Sequence, residues 1–194
     1  DYNKALEIAN SVYNKIKGIC GKIDQNTLST LGNLAVFYSN SGNYNKAFKL
    51  NEEVYVTRKE IFGENHPDTI KAFSNLGDSY SSLGNYNKAL EIHNRVYTET
   101  KDNLGENHPD TLIALGKLGD AYSYLGDYKK VLEIENEIYN TRRKILGENH
   151  PDTLASLNNL AISYSDLGDY KKALETENTV YNVMKNFLGE KHPD

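Results

Sequence analysis

The stretch "GENHPDT", residues Gly63 to Thr69, decides the fold because it returns twice in identical form. The later copies begin at Gly105 and Gly147, and a close variant, "GEKHPD", occupies residues 189–194. The interval between copies is 42 residues. A single active site needs one such segment, whereas a structure of stacked units needs one per unit. The recurrence therefore predicts a repeat protein and assigns these histidines to its architecture.

The tyrosines follow the same interval. All but one of the 15 tyrosines fall into three ladders with a spacing of 42 residues, and Tyr124 is the exception. His93 is likewise the only histidine of five that lies outside the His-Pro-Asp copies. Residues that obey the interval are predicted to be structural. Tyr124 is a candidate for another role, and His93 is predicted to lie at the surface or between helices.

Within one interval the apolar spacing predicts two helices. In the last copy, apolar residues recur at steps of three and four from Thr153 to Leu167, which predicts a helix, called helix A. Gly168 can end this helix, and a second helix, helix B, is predicted from about Tyr170 to Leu188. The equivalent pairs are residues 27–41 with 44–62, 69–83 with 86–104, and 111–125 with 128–146.

The same interval divides the chain into units of one predicted array that runs over residues 1–194. Residues 1–21 form a lone helix B, and residues 190–194 begin the next linker. The four full repeats between them are predicted at residues 22–63, 64–105, 106–147 and 148–189.

Each His-Pro-Asp copy lies between the glycine that ends helix B and the start of the next helix A. The fixed φ of proline and the side-chain acceptor of aspartate both suit a helix start, so Asp68, Asp110 and Asp152 are predicted as N-caps. Asn26 is predicted to take this role in the degenerate copy "GKIDQNT", residues 21–27. A shared zinc site is disfavoured, because its ligands would lie within about 4 Å of one another. Helices packed 8 to 10 Å apart would hold successive histidines at least about 10 Å apart.

Composition excludes several classes of function. Twenty-seven acidic residues against 22 basic ones give a net charge of −5, which disfavours nucleic acid as a partner. No signal peptide or membrane-spanning apolar run is present. The single cysteine, Cys20, suits a reducing compartment and aligns with apolar residues in the other repeats, so it is predicted to be buried. A soluble, cytoplasmic protein without a membrane partner is expected.

No constellation for catalysis stands out in the chain. A nucleophile with a base, a phosphate-binding loop and a cluster of metal ligands are all missing from the sequence pattern. We therefore expect no enzyme activity, no cofactor and no metal. His-Pro-Asp also occurs in J-domain co-chaperones, where one copy acts on an ATPase, but four copies at a fixed interval favour the structural interpretation.

One set of spacings resembles the tetratricopeptide repeat (TPR) family. Its signature of large apolar, small, tyrosine, glycine, tyrosine and alanine residues is matched by Leu160, Ala161, Tyr164, Gly168, Tyr170 and Ala173. The 42-residue period, the long helix B and "LGENHPDTL" are similar to the kinesin light chain subclass, which has many bacterial members. The resemblance implies an all-α, right-handed superhelical solenoid of antiparallel helix pairs. Armadillo and HEAT arrays have similar periods but lack the glycine-tyrosine junction.

The chain departs from the family at one position of helix B. Four residues after the helix B alanine the family commonly has an aromatic or apolar residue, whereas this chain has Ala9, Asn51, His93, Glu135 and Glu177. The packing at this position is expected to differ from that of the family.

The resemblance also implies a concave groove lined mainly by helix A side chains. The binding candidates at groove positions are Asn40, Lys71, Ser74, Asp78, Ser81, Ile113, Asp120, Tyr124, Asn158, Ile162 and Asp166. Three aspartates against one lysine predict a neutral or basic protein or peptide, bound as a helix or an extended segment. Tyr124 is the candidate aromatic anchor. The alternative is that these polar residues merely keep the array soluble.

Two functions remain open from the sequence. The leading hypothesis is a non-catalytic scaffold or sensor segment of a larger protein, since bacterial arrays of this subclass are often fused to proteases, kinases or ATPases. The second is a structural or self-associating array, in which uncovered apolar faces of the end helices would pair. A mass measurement across a concentration series separates the two.

Overall fold

The computed structural model describes residues 2–188. Within this range the backbone forms nine α-helices and no strand. Their bounds are α1 Tyr2–Cys20, α2 Gln25–Asn40, α3 Tyr44–Phe62, α4 Pro67–Ser82, α5 Tyr86–Leu104, α6 Pro109–Tyr124, α7 Tyr128–Leu146, α8 Pro151–Asp166 and α9 Tyr170–Leu188. The even-numbered helices are helix A of each repeat, and the odd-numbered ones are helix B.

The predicted bounds of helix B agree with the structure, while helix A begins two residues earlier than predicted. The reason is the cap. His66, His108 and His150 are the N-caps, and their Nδ1 atoms accept hydrogen bonds of 3.2, 3.1 and 3.1 Å from the backbone N–H two residues later. Proline follows at the first helical position, where the lack of an N–H costs nothing.

The prediction of aspartate N-caps was therefore wrong. Asp68, Asp110 and Asp152 lie in the first turn of their helices, where a negative charge interacts favourably with the helix dipole. In the degenerate copy the cap is Asp24 and not Asn26. Its carboxylate accepts from the N–H groups of Asn26 and Thr27 at 2.9 and 3.3 Å.

Glycine ends the helices by adopting a left-handed backbone. Gly42 after α2 has φ 77° and Gly63 after α3 has φ 86°, and the same two junctions recur in the later repeats. A Cβ atom at either glycine would meet nothing within 4 Å. The requirement for glycine is thus conformational and not steric.

The chain forms two compact units, the first reaching Thr100 and the second beginning at Lys101. In the first unit, α2 packs on α1 and α3, and α3 packs on α4. Its core contains Leu31, Leu34, Val54 and Ala72. In the second unit, α7 packs on α6 and α8, and α8 packs on α9. Its buried apolar residues include Leu115, Leu118, Ile134, Ile138, Leu157 and Leu160.

Two further expectations concern the surface. Cys20 is exposed, so the prediction that it is buried was wrong. Its equivalents Phe62, Leu104 and Leu146 are themselves exposed, because the last position of helix B lies outside the core. Between residues 2 and 188, every helix is either too short or too polar to cross a bilayer.

A candidate binding surface on helix A

Helix A divides its side chains between a buried and an exposed face. In α6, Leu112, Leu115 and Leu118 are buried, whereas Ile113 and Tyr124 are exposed. Ile113, Gly116, Asp120 and Tyr124 follow steps of three, four and four residues and so line one stripe of the helix, on which Gly116 is half-buried and the others are exposed. This stripe contains the groove positions predicted for this repeat.

The equivalent stripe of α8 is also exposed. Asn158, Ile162 and Asp166 lie on it, while the neighbouring Leu157 and Leu160 are buried. We call the exposed residues of α6 and α8 the second-unit stripe. Its members are Ile113, Asp120, Tyr124, Asn158, Ile162 and Asp166.

The predicted residues of the first unit are less uniform. Asn40 and Lys71 are exposed, and Asp78 and Ser81 are half-buried. Ser74 is buried, at 8% exposure, so it does not belong to an exposed stripe. The second unit therefore presents the broader exposed set of predicted side chains.

A row of buried polar residues lies on helix B, at the position where the family pattern has apolar ones. Asn51, His93 and Glu135 occupy this position in α3, α5 and α7, and all three are buried. Asn51 Nδ2 donates to Ser79 Oγ at 2.8 Å and to the Asn75 carbonyl at 3.4 Å. Polar groups of helix B therefore face helix A at this position.

His93, one of these three buried residues, contacts Asp78, which is one of the predicted groove residues. Its Nε2 lies 3.3 Å from Asp78 Oδ1, although the ring itself is buried between α4 and α5. A Cβ atom on Gly77 would lie 2.8 Å from His93 Cε1, so glycine is needed where the imidazole packs. The feature of the sequence that could have indicated this packing is the glycine at position 77, in the same repeat as His93.

Glu135 was missed as a candidate site residue. Burial raises the pKa of its carboxyl, and the charge of Asp120 adds to the rise. A hydrogen bond to Asn159 and the charge of Arg142 act in the opposite direction and offset only part of it. Oε2 has no hydrogen-bond partner among the described residues. The signal in the sequence was a glutamate at an apolar position of the family.

Two arginines in the equivalent position of α3 and α7 were also missed. Arg58 donates to the Asp68 carbonyl at 3.2 Å and to Ser29 Oγ at 3.3 Å. Arg142 donates to the Asp152 carbonyl at 3.3 Å and to Ser156 Oγ at 2.7 Å. Both tie the end of helix B to helix A, and Asp68 and Asp152 belong to the first turn of the following helix A. Their guanidinium groups serve packing between helices.

Comparison with known families agrees with this geometry. One family model described as tetratricopeptide repeat matches residues 26–98 and 136–186, and a second model of the same description matches residues 111–152. The matches span more than half of the chain, which therefore belongs to the tetratricopeptide repeat family. Its fold is also that of solved structures described as kinesin light chain TPR-like repeats.

Solved structures share the fold of this chain. A Podosopora anserina chain described as a kinesin light chain with nearly identical TPR-like repeats is 23% identical, with a TM-score of 0.82, covering 96% of this chain and 88% of that one. BtubC (BKLC) from P. vanneervenii is 18% identical, with a TM-score of 0.77, covering 100% of this chain and 77% of that one.

A third similar structure is a Rap protein complexed with Competence and Sporulation Factor. It is 13% identical, with a TM-score of 0.76, and the match covers 97% of this chain and 50% of that one. No curated protein matches the chain by sequence. At these identities the structures define the fold class, which is the all-α superhelical repeat fold.

Proposed function

We propose that the chain is a non-catalytic scaffold segment that binds a protein or a peptide through the exposed stripes of helix A, the concave groove of such arrays. The observation that carries the proposal is the second-unit stripe. Ile113, Tyr124 and Ile162 are 53, 57 and 51% exposed there, among the carboxylates of Asp120 and Asp166. Large apolar side chains on the surface of a soluble protein mark interaction sites when they share one face.

The chemistry of the stripe favours a partner that is neutral or basic and carries apolar residues. Isoleucine and tyrosine side chains can act as buried anchors at the centre of an interface. Carboxylates around them favour positively charged groups and disfavour acidic ones. In the first unit, Asp78 and Lys71 occupy the corresponding stripe of α4. The partner segment would bind as a helix or in an extended form.

Similar folds support a binding role. The Rap protein named above is described in complex with Competence and Sporulation Factor, which makes a bound partner compatible with this architecture. We extend the proposal to a cytoplasmic, bacterial setting, with the repeats at residues 22–63, 64–105, 106–147 and 148–189 forming one array within a sensor or scaffold.

A phage library of random peptides tests the proposal without a known partner. Peptides selected on the wild-type chain should bind Ile162→Ser about tenfold more weakly, the effect of losing one anchor. Ile145→Ser is the matched control, because Ile145 is 49% exposed on α7 and lies outside the stripe. Equal losses for the two variants, or no selected peptide, would refute binding through this stripe.

A second function, self-association, is favoured by the exposed face of α9. Leu174 and Tyr181 are 60 and 61% exposed, whereas their equivalents Leu132 and Tyr139 of α7 are half-buried. Tyr170 is 71% exposed, against 37% for its equivalent Tyr128. A second copy could bury this face. Sedimentation equilibrium over a hundredfold range of concentration, on wild type and Leu174→Glu, tests it. A dimer that Leu174→Glu abolishes supports self-association, and a monomer throughout excludes it.

A further inference from the structure

One position of helix A and one position of helix B hold a different pair of residues in successive repeats. In the second full repeat the pair is Asp78 on α4 and His93 on α5, whose nearest atoms are 3.3 Å apart. In the third full repeat the same two positions hold Asp120 on α6 and Glu135 on α7. A histidine ring, which can donate a hydrogen bond to a carboxylate, is thus replaced by a second carboxylate.

We propose that Asp120 and Glu135 form a binding site for one cationic side chain, a lysine or an arginine, of the protein or peptide partner. This inference rests on the proposed function, because it assigns the group that the second-unit stripe recognises. Asp120 is exposed on the stripe, and Glu135 lies on the helix against which α6 packs.

The first support is the environment of Glu135. The residue is 9% exposed, and its Oε2 has no hydrogen-bond partner among the described residues. Asp120 acts on it from α6, Asn159 from α8 and Arg142 from its own helix. The Arg142 guanidinium also donates to the Asp152 carbonyl and to Ser156 Oγ. A buried carboxylate with an unpartnered oxygen is costly, and a cation held at the exposed Asp120 carboxylate would offset part of that cost through its charge.

The second support is the approach to the pair. Gly116 lies one helical turn before Asp120 and has no side chain to cover it. A Cβ atom there would meet only Ile138 Cδ1, at 3.8 Å. Tyr124 lies one turn after Asp120 and is exposed, so its ring can flank an ammonium or guanidinium group.

The third support is the protonation of the site. Burial and the neighbouring Asp120 raise the pKa of Glu135, so the charged form of this carboxyl is disfavoured in the folded chain. A cation bound beside it would favour the charged form and lower the pKa again. Ligand binding at this site should therefore release protons near the raised pKa.

The repeats themselves supply a matched variant. Glu135→His reproduces the pair of the second full repeat, and space for the ring exists because Gly119 occupies the position of Gly77. The new imidazole would replace one of the two carboxylates and face the other, so a cation would no longer meet two negative charges. Glu135→Gln keeps the shape of the side chain and removes its charge, so it serves if the histidine variant fails to fold.

The experiment uses random peptides displayed on phage, selected in parallel on wild type, Glu135→Gln and Glu135→His. On wild type we expect a lysine or arginine at a fixed distance from the apolar residues of the selected peptides. Both variants should lose this basic position, and replacing it by alanine should weaken binding to wild type at least about tenfold. On the variants the same replacement should have little effect.

The outcomes separate this inference from the proposed function. Selected peptides that retain apolar positions but show no fixed basic residue would contradict the cation site but not binding through the second-unit stripe. The same holds if all three chains select the same basic residue. Failure to select any peptide on wild type would overturn both.

Discussion

The guanidinium of Arg95 on α5 lies 2.9 Å from the carboxylate of Glu64, in the linker before α4. The equivalent pair of the preceding repeat, Lys22 and Glu53, is also 2.9 Å apart, with the charges exchanged. The same contact between a linker and helix B is thus made with either polarity. In the third full repeat both positions are acidic, Glu106 and Glu137.

We expect Glu137→Arg to stabilise the second unit by creating this bridge with Glu106. Both residues are exposed, so the gain in the free energy of unfolding should be at most about 1 kcal/mol. Urea denaturation at low and at high salt measures it. Glu137→Gln is the control that only relieves repulsion. If Glu137→Arg is no more stable than this control at low salt, the bridge does not form.

We expect Gly77→Ala to destabilise the protein by about 1 to 3 kcal/mol. The new methyl group would lie 2.8 Å from His93 Cε1 and 2.9 Å from Ile92 Cγ2, and neither side chain can leave the packed interface freely. Gly32→Ala is the matched control on α2, where a Cβ atom meets nothing within 4 Å. That variant should gain up to about 1 kcal/mol from helix propensity.

A double variant identifies the cause of the loss in Gly77→Ala. Removing the ring with His93→Ala should recover part of the stability, because the clash is with the imidazole. Additive losses in urea denaturation of the two single variants and the double variant would contradict this explanation.

Glu135 predicts a dependence of stability on pH. Burial raises the pKa of its carboxyl in the folded chain, whereas the unfolded chain ionises at the ordinary, lower value. The folded state therefore holds the proton more tightly, and the free energy of unfolding should fall as pH rises from the ordinary pKa through the raised one. Glu135→Gln should lose this fall and exceed wild type in stability at neutral pH.

Urea denaturation between about pH 4 and pH 8 measures the effect, since this range begins near the ordinary glutamate pKa. Glu137→Gln is the control, because it removes an exposed glutamate of the same helix. It should change the slope far less than Glu135→Gln does, because its carboxylate is solvated. Parallel curves for wild type and Glu135→Gln would show that burial does not act on this carboxyl.

We expect His150→Ala to cost about 0.5 to 2 kcal/mol by removing an N-cap acceptor. His150→Asp should instead match or exceed wild type, because Asp24 caps α2 from the equivalent position. Thermal unfolding of both variants, with Asp152→Ala beside them, tests the assignment of the cap. A greater loss of stability in Asp152→Ala than in His150→Ala would indicate that Asp152, and not His150, is the N-cap.

Much of the exposed stripe could be predicted from the sequence through its resemblance to a repeat family. The resemblance implied groove positions for Ile113, Tyr124 and Ile162, and the structure finds these side chains exposed. The ligand-binding role of the stripe stays a proposal. Ser74 is buried although its position on α4 is equivalent to that of the exposed Asn158, and nothing in the local sequence indicates the difference.

The sequence by itself determined where the helices are, because glycine junctions and apolar periodicity act over a few residues. The identity of the cap was decided by the backbone, which brings the histidine Nδ1 and not the aspartate to the free N–H groups. Only tertiary structure brought His93 to Asp78 and placed Glu135 where the charge of Asp120 acts on it. Such pairs depend on how helix B faces helix A, and packing sets that orientation across many residues at once.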